Sequence, residues 1–371
     1  MDRISHLPEE IISKILSFLP TRNVMRTMFL SKSWKSLWIL VPRLEFDDVT
    51  HCTSRPHHYG NFRRFVDRSL LSRAAAGQVL QSLSLKSHHN FTHDDVEIWL
   101  RTAVKLGLKE LELVNFIDYR SLGLKSIYTC ETLVVLRLEN SALNVRDHLC
   151  LRSLKTLSLI YMSYSNPNSL LRMLPSCPVL EELLLQRRSF LANPPSYKII
   201  VPSLRRLSLI FEGYRSKGDV NLVIDTPSLK SLQIVDRSVV HIRLCLSASE
   251  SWRHYIARLY SFMQVLYPDG CCFHRLKHLE CHPVINPRTR HWNQPGSVPR
   301  CFSSNLEIFE WIKYEGKQYE KKLSTYILKT AVLLKKASFT ARSDDYKEKL
   351  LMIQELSFSQ RASSTCELVF N

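Results

Sequence analysis

Glycine is scarce in this chain, 9 residues of 371. Loops that cradle phosphate need glycines at fixed offsets, and the sequence has no Walker-type or GxGxxG run, which speaks against a nucleotide-dependent enzyme. No stretch approaches the roughly 18 consecutive apolar residues of a membrane span. The basic, apolar and small-residue order of a signal peptide is also missing, because Asp2 and the Glu9-Glu10 pair interrupt it. These absences lead us to expect a cytoplasmic and/or nuclear protein with no membrane contact. In a reducing compartment the ten cysteines, irregularly spaced, read as small buried hydrophobes rather than a disulfide framework.

Catalytic signatures are lacking too. There is no Gly-x-Ser-x-Gly elbow, no His-Glu-x-x-His and no paired-acid arrangement. One metal-like run exists, CCFHRLKHLECH, with Cys271, Cys272, His274, His278, Cys281 and His282. Zinc sites want ligand pairs held apart in a loop, whereas this run overlays an apolar repeat, with Leu276 and Leu279 inward and Cys281 in the third apolar slot. His88, His89 and His93 flank Asp94 and Asp95, and the aspartates are better explained by the start of the helix that follows. The expectation is a protein without catalytic residues, metal or cofactor.

Charge is the opposite case, an excess: +17 in formal net charge, with pI near 9.5. It is spread out. Residues 1–45 carry 7 Lys+Arg against 4 Asp+Glu, and residues 317–371 carry 10 against 6. A diffuse surplus without arginine-rich runs fits a solvated surface or acidic protein partners, so nucleic acid is not the expected ligand.

What the chain does have is a repeat, Leu-x-x-Leu-x-Leu. It appears as LQSLSL from Leu80, LKELEL from Leu108, LVVLRL from Leu133, LKTLSL from Leu154, LEELLL from Leu180, LRRLSL from Leu204 and LKSLQI from Leu229. The starts step by 28, 25, 21, 26, 24 and 25 residues, within the window of leucine-rich repeats. VPRLEF from Val41 fits as a first copy; LKHLEC from Leu276 and LEIFEW from Leu306 are degraded ones. The second and third leucines alternate to one face of a short strand, so stacked copies build a continuous apolar wall. Phe116, Ser141 and Met162 stand where the usual repeat has asparagine, which predicts irregular repeats.

Between strands the spacing predicts helices or turns, best in THDDVEIWLRTAVKLG, where Thr92 and Asp95 make a capping-box-like start. Val239, Ile242 and Leu244 refit the template ten residues after Leu229, predicting a strand with no helix before it. SWRHYIARLYSFMQVL reads as an inserted amphipathic helix. Residues 283–299, rich in Pro, Gly, Asn and Arg, read as an exposed loop, and Arg290 and Trp292 in it are candidate contacts for a bound protein. KQYEKKLSTYILKTAVLLKKASF places Tyr319, Leu323, Ile327, Ala331 and Leu334 on one helical face; DDYKEKLLMIQELS supplies another helix, and CELVF a final strand that caps the array at a sheet edge.

The N-terminus differs. Pro8 suits the first turn of a helix, Glu9 and Glu10 complement its dipole, and Ile11, Ile12, Ile15, Leu16 and Leu19 follow at helical spacing until Pro20 stops it. NVMRTMFL and SKSWKSLW give two more apolar stretches. Three short helices make a core too small to stand well alone unless a partner covers part of it.

Residues 2–47 resemble a plant F-box, through Asp-Arg-Ile, Leu-Pro-Glu-Glu, Ile-Leu-Ser-Phe-Leu-Pro-Thr, Leu-Ser-Lys, a Trp two residues later and Leu-Trp. Residues 305–371 resemble the FBD domain of plant F-box/leucine-rich-repeat proteins, down to SSTCELVF. The resemblance implies an α/β architecture: a three-helix F-box (1–47), an irregular leucine-rich-repeat solenoid of parallel strands plus helices (48–304), and an α+β FBD region capping it (305–371). It also implies the substrate receptor of an SCF ubiquitin ligase. The F-box would dock on a Skp-type adaptor, and through it on the cullin/RING ligase, while the repeats hold a protein target. Carried over by position, the adaptor-facing residues are Leu7, Pro8, Glu9, Ile11, Ile12, Ile15 and Leu16, then Val24, Leu30, Lys32, Trp34 and Leu37. Ser33 departs from the family, in which a basic residue is usual there. The alternative is a leucine-rich interaction scaffold without a ligase role.

Overall fold

The structure, a computed structural model, describes residues 7–47, 58–87, 92–115, 124–143, 149–164, 169–188, 197–212, 220–226, 228–229, 231–236, 242–246, 255–259, 276–281, 298 and 300–371. The chain divides into two compact units, Met1–Leu180 and Glu181–Asn371.

The first unit begins with helices α1 (Glu9–Leu16) and α2 (Thr21–Arg26), then short 3-10 turns at Thr27–Phe29, Lys32–Lys35 and Leu37–Leu40. The third apolar stretch is therefore two tight turns, separated from α2 by an extended Ser31 (φ −160°, ψ 171°). Next come β1 (Arg43–Asp47), α3 (His58–Ala75), β2 (Ser82–Ser87), α4 (His93–Lys105), β3 (Glu110–Asn115), α5 (Lys125–Tyr128), β4 (Val135–Glu139), β5 (Ala142–Leu143), β6 (Thr156–Ile160), β7 (Ser163–Tyr164) and α6 (Ser169–Met173).

Strands β1, β2, β3, β4 and β6 pair in that order, all parallel. Their register sets Leu44, Leu83, Leu111, Leu136 and Leu157 in one row and Phe46, Leu85, Leu113, Leu138 and Leu159 in the next. Every one is buried, as are the leading Leu80, Leu108, Leu133 and Leu154. Each such side chain contributes about 1.5–3 kcal/mol by leaving water, and only the stack provides the cover. VPRLEF is thus the first rung.

Helix α4 starts as its sequence predicts: the Asp95 amide donates to Thr92 Oγ1 at 3.1 Å, and Val96, Trp99, Leu100 and Ala103 are buried. The missing asparagine ladder has a replacement. Asn140 and Tyr161 take positive φ (52° and 51°), and Ser141 and Met162 beside them are buried. The turns are then joined through the β5–β7 pair, with the Asn140 amide on the Ile160 carbonyl and the Ser163 amide on that of Ser141. Phe116 lies outside the described residues.

The second unit holds β8 (Glu182–Arg188), β9 (Tyr197–Ile200), β10 (Arg206–Glu212), β11 (Val220–Asp225), β12 (Ser231–Asp236), β13 (Ile242–Leu246), β14 (Tyr255–Leu259), β15 (Leu276–Cys281), α7 (Arg300–Ser304), β16 (Ile308–Tyr314), α8 (Gln318–Thr330), β17 (Lys336–Ala341), α9 (Tyr346–Ser357) and β18 (Glu367–Phe370). Strands β8, β10, β12, β14, β15, β16, β17 and β18 form its parallel ladder in that order.

Three expectations need correction. The strand at Ile242 forms, but it pairs with β11, and β11 with β9, in a separate three-stranded parallel sheet. The β-branched runs KIIV and NLVID favour extension, and they bury Ile199, Val201 and Ile224 where helices were expected. Within the expected inserted helix, Tyr255–Leu259 is strand β14, in register with β12 and β15, because a rung of the ladder is needed between them. Finally, the long helix expected to reach Leu334 ends at Thr330, whose hydroxyl donates to the Tyr326 carbonyl at 2.7 Å. Leu334, Ala337 and Phe339 are buried and fill the three template slots of a further rung, LKKASF.

The C-terminal region is therefore continuous with the ladder rather than a foreign lid. Helix α8 starts after Gly316, whose φ of +70° glycine adopts without the strain a Cβ would bring. Glu320, wholly buried, accepts the amides of Glu315 and Lys317 and the hydroxyl of Tyr319 there; burial raises its pKa. Strand β18 pairs in parallel with β17, setting Leu368 beside Ala337 and Phe370 beside Phe339.

Candidate functional site

The N-terminal bundle is built around one small cluster: Ile12, Leu16, Val24, Trp34, Leu37, Trp38 and Val41, with Met25, Met28, Ile39 and Leu40 packed against it. Helix α1 springs from Pro8, whose carbonyl accepts the Ile11 and Ile12 amides. Its apolar residues fall on two stripes. Ile12 and Leu16, four apart, point into the cluster at 3% and 1% exposure. Leu7, Ile11 and Ile15, one residue earlier at each turn, stay 38–46% exposed. Side chain to backbone bonds hold the bundle together: Ser13 Oγ donates to the Leu40 carbonyl at 3.2 Å, and the Glu45 amide donates to Thr21 Oγ1 at 2.6 Å.

The twelve positions carried over as adaptor-facing thus separate. Leu7, Pro8, Glu9, Ile11, Ile15, Leu30 and Lys32 are on the surface. Ile12, Leu16, Val24, Trp34 and Leu37 are in the cluster, so their work in this chain is to hold the bundle's shape. The Ser33 side chain is outside the described set. Phe18, Leu19 and Phe29 are exposed apolar residues that the carry-over missed; Phe18 and Phe29 reach 79% and 89% exposure. A signal existed: Phe18 lies off the Ile12–Leu16 stripe, and Phe29 stands between Met28 and Leu30 in a run too apolar for one helix turn to bury. Large exposed apolar residues concentrated on one subdomain mark a docking surface.

The bundle joins the repeats without a free linker. Strand β1 is at once its last element and the first rung, and the Pro42 carbonyl accepts the Gln81 and Ser82 amides. Arg73, at the end of α3, is wholly buried. Its guanidinium donates to the Trp38 carbonyl (3.3 Å) and the Val79 carbonyl (3.1 Å), tying the bundle and α3 to the segment that leads into β2. Burial alone lowers its pKa to about 10, so it stays charged.

Those of the remaining candidates that lie among the described residues do not assemble into a site. Arg290 and Trp292 lie outside the described residues, as do Cys271, Cys272, His274, His282, His88 and His89. His278 sits on β15 with Nε2 2.9 Å from Glu310 Oε2, and Cys281 is buried, which pushes its thiol pKa well up. Asp95 pairs with Arg63 at 2.9 Å. Among the described residues no group of three or more His, Cys, Asp or Glu is placed to hold a metal, and no helix is long and apolar enough to cross a membrane.

Comparison with known proteins matches three consecutive parts of the chain. The F-box domain covers residues 4–46, the LRR repeats of FBD-associated F-box protein At5g56370 cover 96–249, and FBD covers 294–339. Among curated proteins of Arabidopsis thaliana, FBD-associated F-box protein At5g56380 is 48% identical, with both chains covered in full. Probable FBD-associated F-box protein At1g32375 is 34% identical over the whole of both chains. F-box/FBD/LRR-repeat protein At5g56420 is also 34% identical, across all of this chain and 99% of its own length. The bundle, the ladder and the C-terminal rungs thus carry full-length identity to one group, and the chain belongs to the FBD-associated F-box proteins.

Proposed function

We propose that this protein is the target-binding subunit of an SCF-type ubiquitin ligase and carries out no chemistry itself. Its F-box, residues 1–47, docks on a Skp-type adaptor and so on the cullin/RING assembly. The repeats, residues 48–304, hold a protein target, with the FBD region, residues 305–371, extending them. The reaction gains from proximity: holding a target lysine beside a charged conjugating enzyme turns a bimolecular step into a nearly intramolecular one. The complex forms in the cytoplasm and/or nucleus.

The observation that carries this reading is the set of solvent-facing apolar residues before, on and after α1, Leu7, Ile11, Ile15, Phe18, Phe29 and Leu30, beside a cluster that does not include them. The described residues leave them in water, and a docked adaptor would cover them. The test is co-expression with a Skp-type adaptor. Wild type should co-purify, while Ile15→Asp and Phe29→Asp should each weaken binding by at least about thirtyfold, as hot-spot losses of roughly 2 kcal/mol require, at an unchanged melting temperature. A wild-type chain that folds but leaves the adaptor in the flow-through would remove the ligase role and leave an interaction scaffold.

A further inference from the structure

The turn between α8 and β17 carries two side chains for which the ladder has no use. Ala331 and Leu334 are buried, while Val332 and Leu333 between them stay 52% and 50% exposed. In the copies from Leu80 to Leu306, the two residues before the leading leucine always include a polar residue, a glycine or a proline. Glu131-Thr132, Arg152-Ser153 and Pro202-Ser203 are examples. A solvent-facing turn calls for such residues, and Val332-Leu333 departs from the rule.

Cations surround the departure. The segment that follows α9 lies along this turn, with the Ala362 amide on the Leu328 carbonyl at 2.8 Å and Ser363 Oγ on the Leu334 carbonyl at 2.6 Å. The charged residues of the two segments, 328–336 and 360–367, are Lys329, Lys335, Lys336 and Arg361 against Glu367. All of them are exposed. Lys335 pairs with Glu307, and Glu367 is the register neighbour of Lys336. The rim therefore holds more positive charge than its own carboxylates offset.

We propose that this rim docks an acidic, extended segment of the protein that the repeats hold. An apolar side chain of that segment lies on Val332 and Leu333, and carboxylates on either side of it pair with Lys329, Lys336 and Arg361. This rests on the reading of the chain as a receptor for another protein, though not on adaptor binding. The sign of the charge selects the occupant. A second copy of a chain of net charge +17 would bring cations to cations. Bilayers and nucleic acids are anionic too, but each lacks half of the fit. Val332 and Leu333 are half-covered and lie level with the rim, whereas a membrane anchor must sink its apolar face among acyl chains. A nucleic-acid strand would lay phosphates over the aliphatic pair, and neither segment has an aromatic ring on which a base could stack.

Random peptides displayed on phage, panned on the full-length chain and counter-selected on Leu333→Ser, test this. Peptides enriched by the wild type should place Asp or Glu on both sides of an apolar residue. A recovered peptide should bind Leu333→Ser and Lys336→Glu each about tenfold more weakly, the scale of one lost charge-assisted contact, and should weaken with added salt. Both positions are already in water, so both variants should keep wild-type circular dichroism. Lys329→Glu, likewise exposed, decides the matter should either misfold. Failure to enrich any peptide would overturn the proposal, as would enriched peptides without acidic residues, or acidic peptides that bind the variants as they bind the wild type. Phosphatidylserine vesicles and single-stranded DNA are tested alongside. Binding of either that these variants abolish, with no peptide bound, would also overturn it and assign the rim to that ligand. No arm contains the adaptor, so failure of the ligase reading leaves these outcomes unchanged.

Discussion

The two ends of the molecule both leave large apolar side chains in water, for different reasons. At the N-terminus the bundle closes on seven buried residues. Its helices are too short to hide both stripes of α1, so Ile11, Ile15, Phe18 and Phe29 are left over from a finished core. At the C-terminus the core is deep. Phe309 and Tyr314 of β16 meet Phe339 edge-on, Trp311 meets Phe309 and Tyr314 in the same way, with ring centroids 5.6–6.2 Å apart, and Phe339 stacks on Phe370 at 6.0 Å. What is exposed there is the outer side of the last described rung. Exposed apolar surface therefore has to be read together with the core behind it: one end sets it over a small core, the other over a deep one.

The largest effect should come from breaking that deep core. Phe339→Ala removes a fully buried ring that touches three others, and should cost about 3–5 kcal/mol. Because rungs support their neighbours, protease cleavage should spread through the 305–371 region. Trp34→Ala carries a similar local cost, but only the first rung, through Val41, shares its cluster, so cleavage should stay within residues 1–47. Limited proteolysis of the two variants compares the ends directly, and identical cleavage patterns would mean that the bundle is no less continuous with the ladder than the FBD region is.

An intermediate effect tests how far the N-terminal end is separate. Arg73→Met fills similar volume but leaves the Val79 carbonyl without the guanidinium; the Trp38 carbonyl keeps only the Val41 amide at 3.3 Å. A loss of roughly 1–3 kcal/mol follows from removing two hydrogen bonds made by a charged guanidinium. Hydrogen exchange should report it as faster opening at residues 37–42 and 78–82, with the rungs from β3 onward unchanged.

The sequence made the ladder legible because a leucine at three fixed offsets has one physical use, and the structure buries those leucines at every described rung of the first unit. It also showed the start of α4, where Thr92 and Asp95 do a job visible in four letters. It hid what depends on neighbours. Tyr255–Leu259 has apolar residues compatible with helix or strand, and only pairing with β12 and β15 decides between them. Ala337 in the second template slot concealed a rung, since alanine scores as a helix former while its burial here comes from the aromatic residues around it. The division of α1 was invisible for a similar reason. Ile11 and Ile12 are the same residue type one position apart, and which one faces inward is set by Trp34, Leu37 and Trp38.

The smallest effect probes the seam between the repeats and the FBD region. Glu307 opens the β16 rung and lies between Lys277 of the rung before (2.6 Å) and Lys335 of the rung after (2.7 Å). Hydrogen bonds from Lys277 and then Lys335 lower its carboxyl pKa from 4.5 to about 2. A folded-state pKa below the unfolded value means the stabilisation is fully present above pH 4.5 and is lost as the pH falls toward 2. The side chain keeps a quarter of its exposure, so water and salt screen the pair, and Glu307→Gln should cost under ~1 kcal/mol at neutral pH. The difference between variant and wild type in urea melts should shrink with added salt and vanish as the pH falls through that window. A difference that persists unchanged at low pH would show that the seam rests on the backbone bond from the Glu307 amide to the Lys277 carbonyl and on the buried leucine behind it, and that the charges add nothing to the continuity of the two regions.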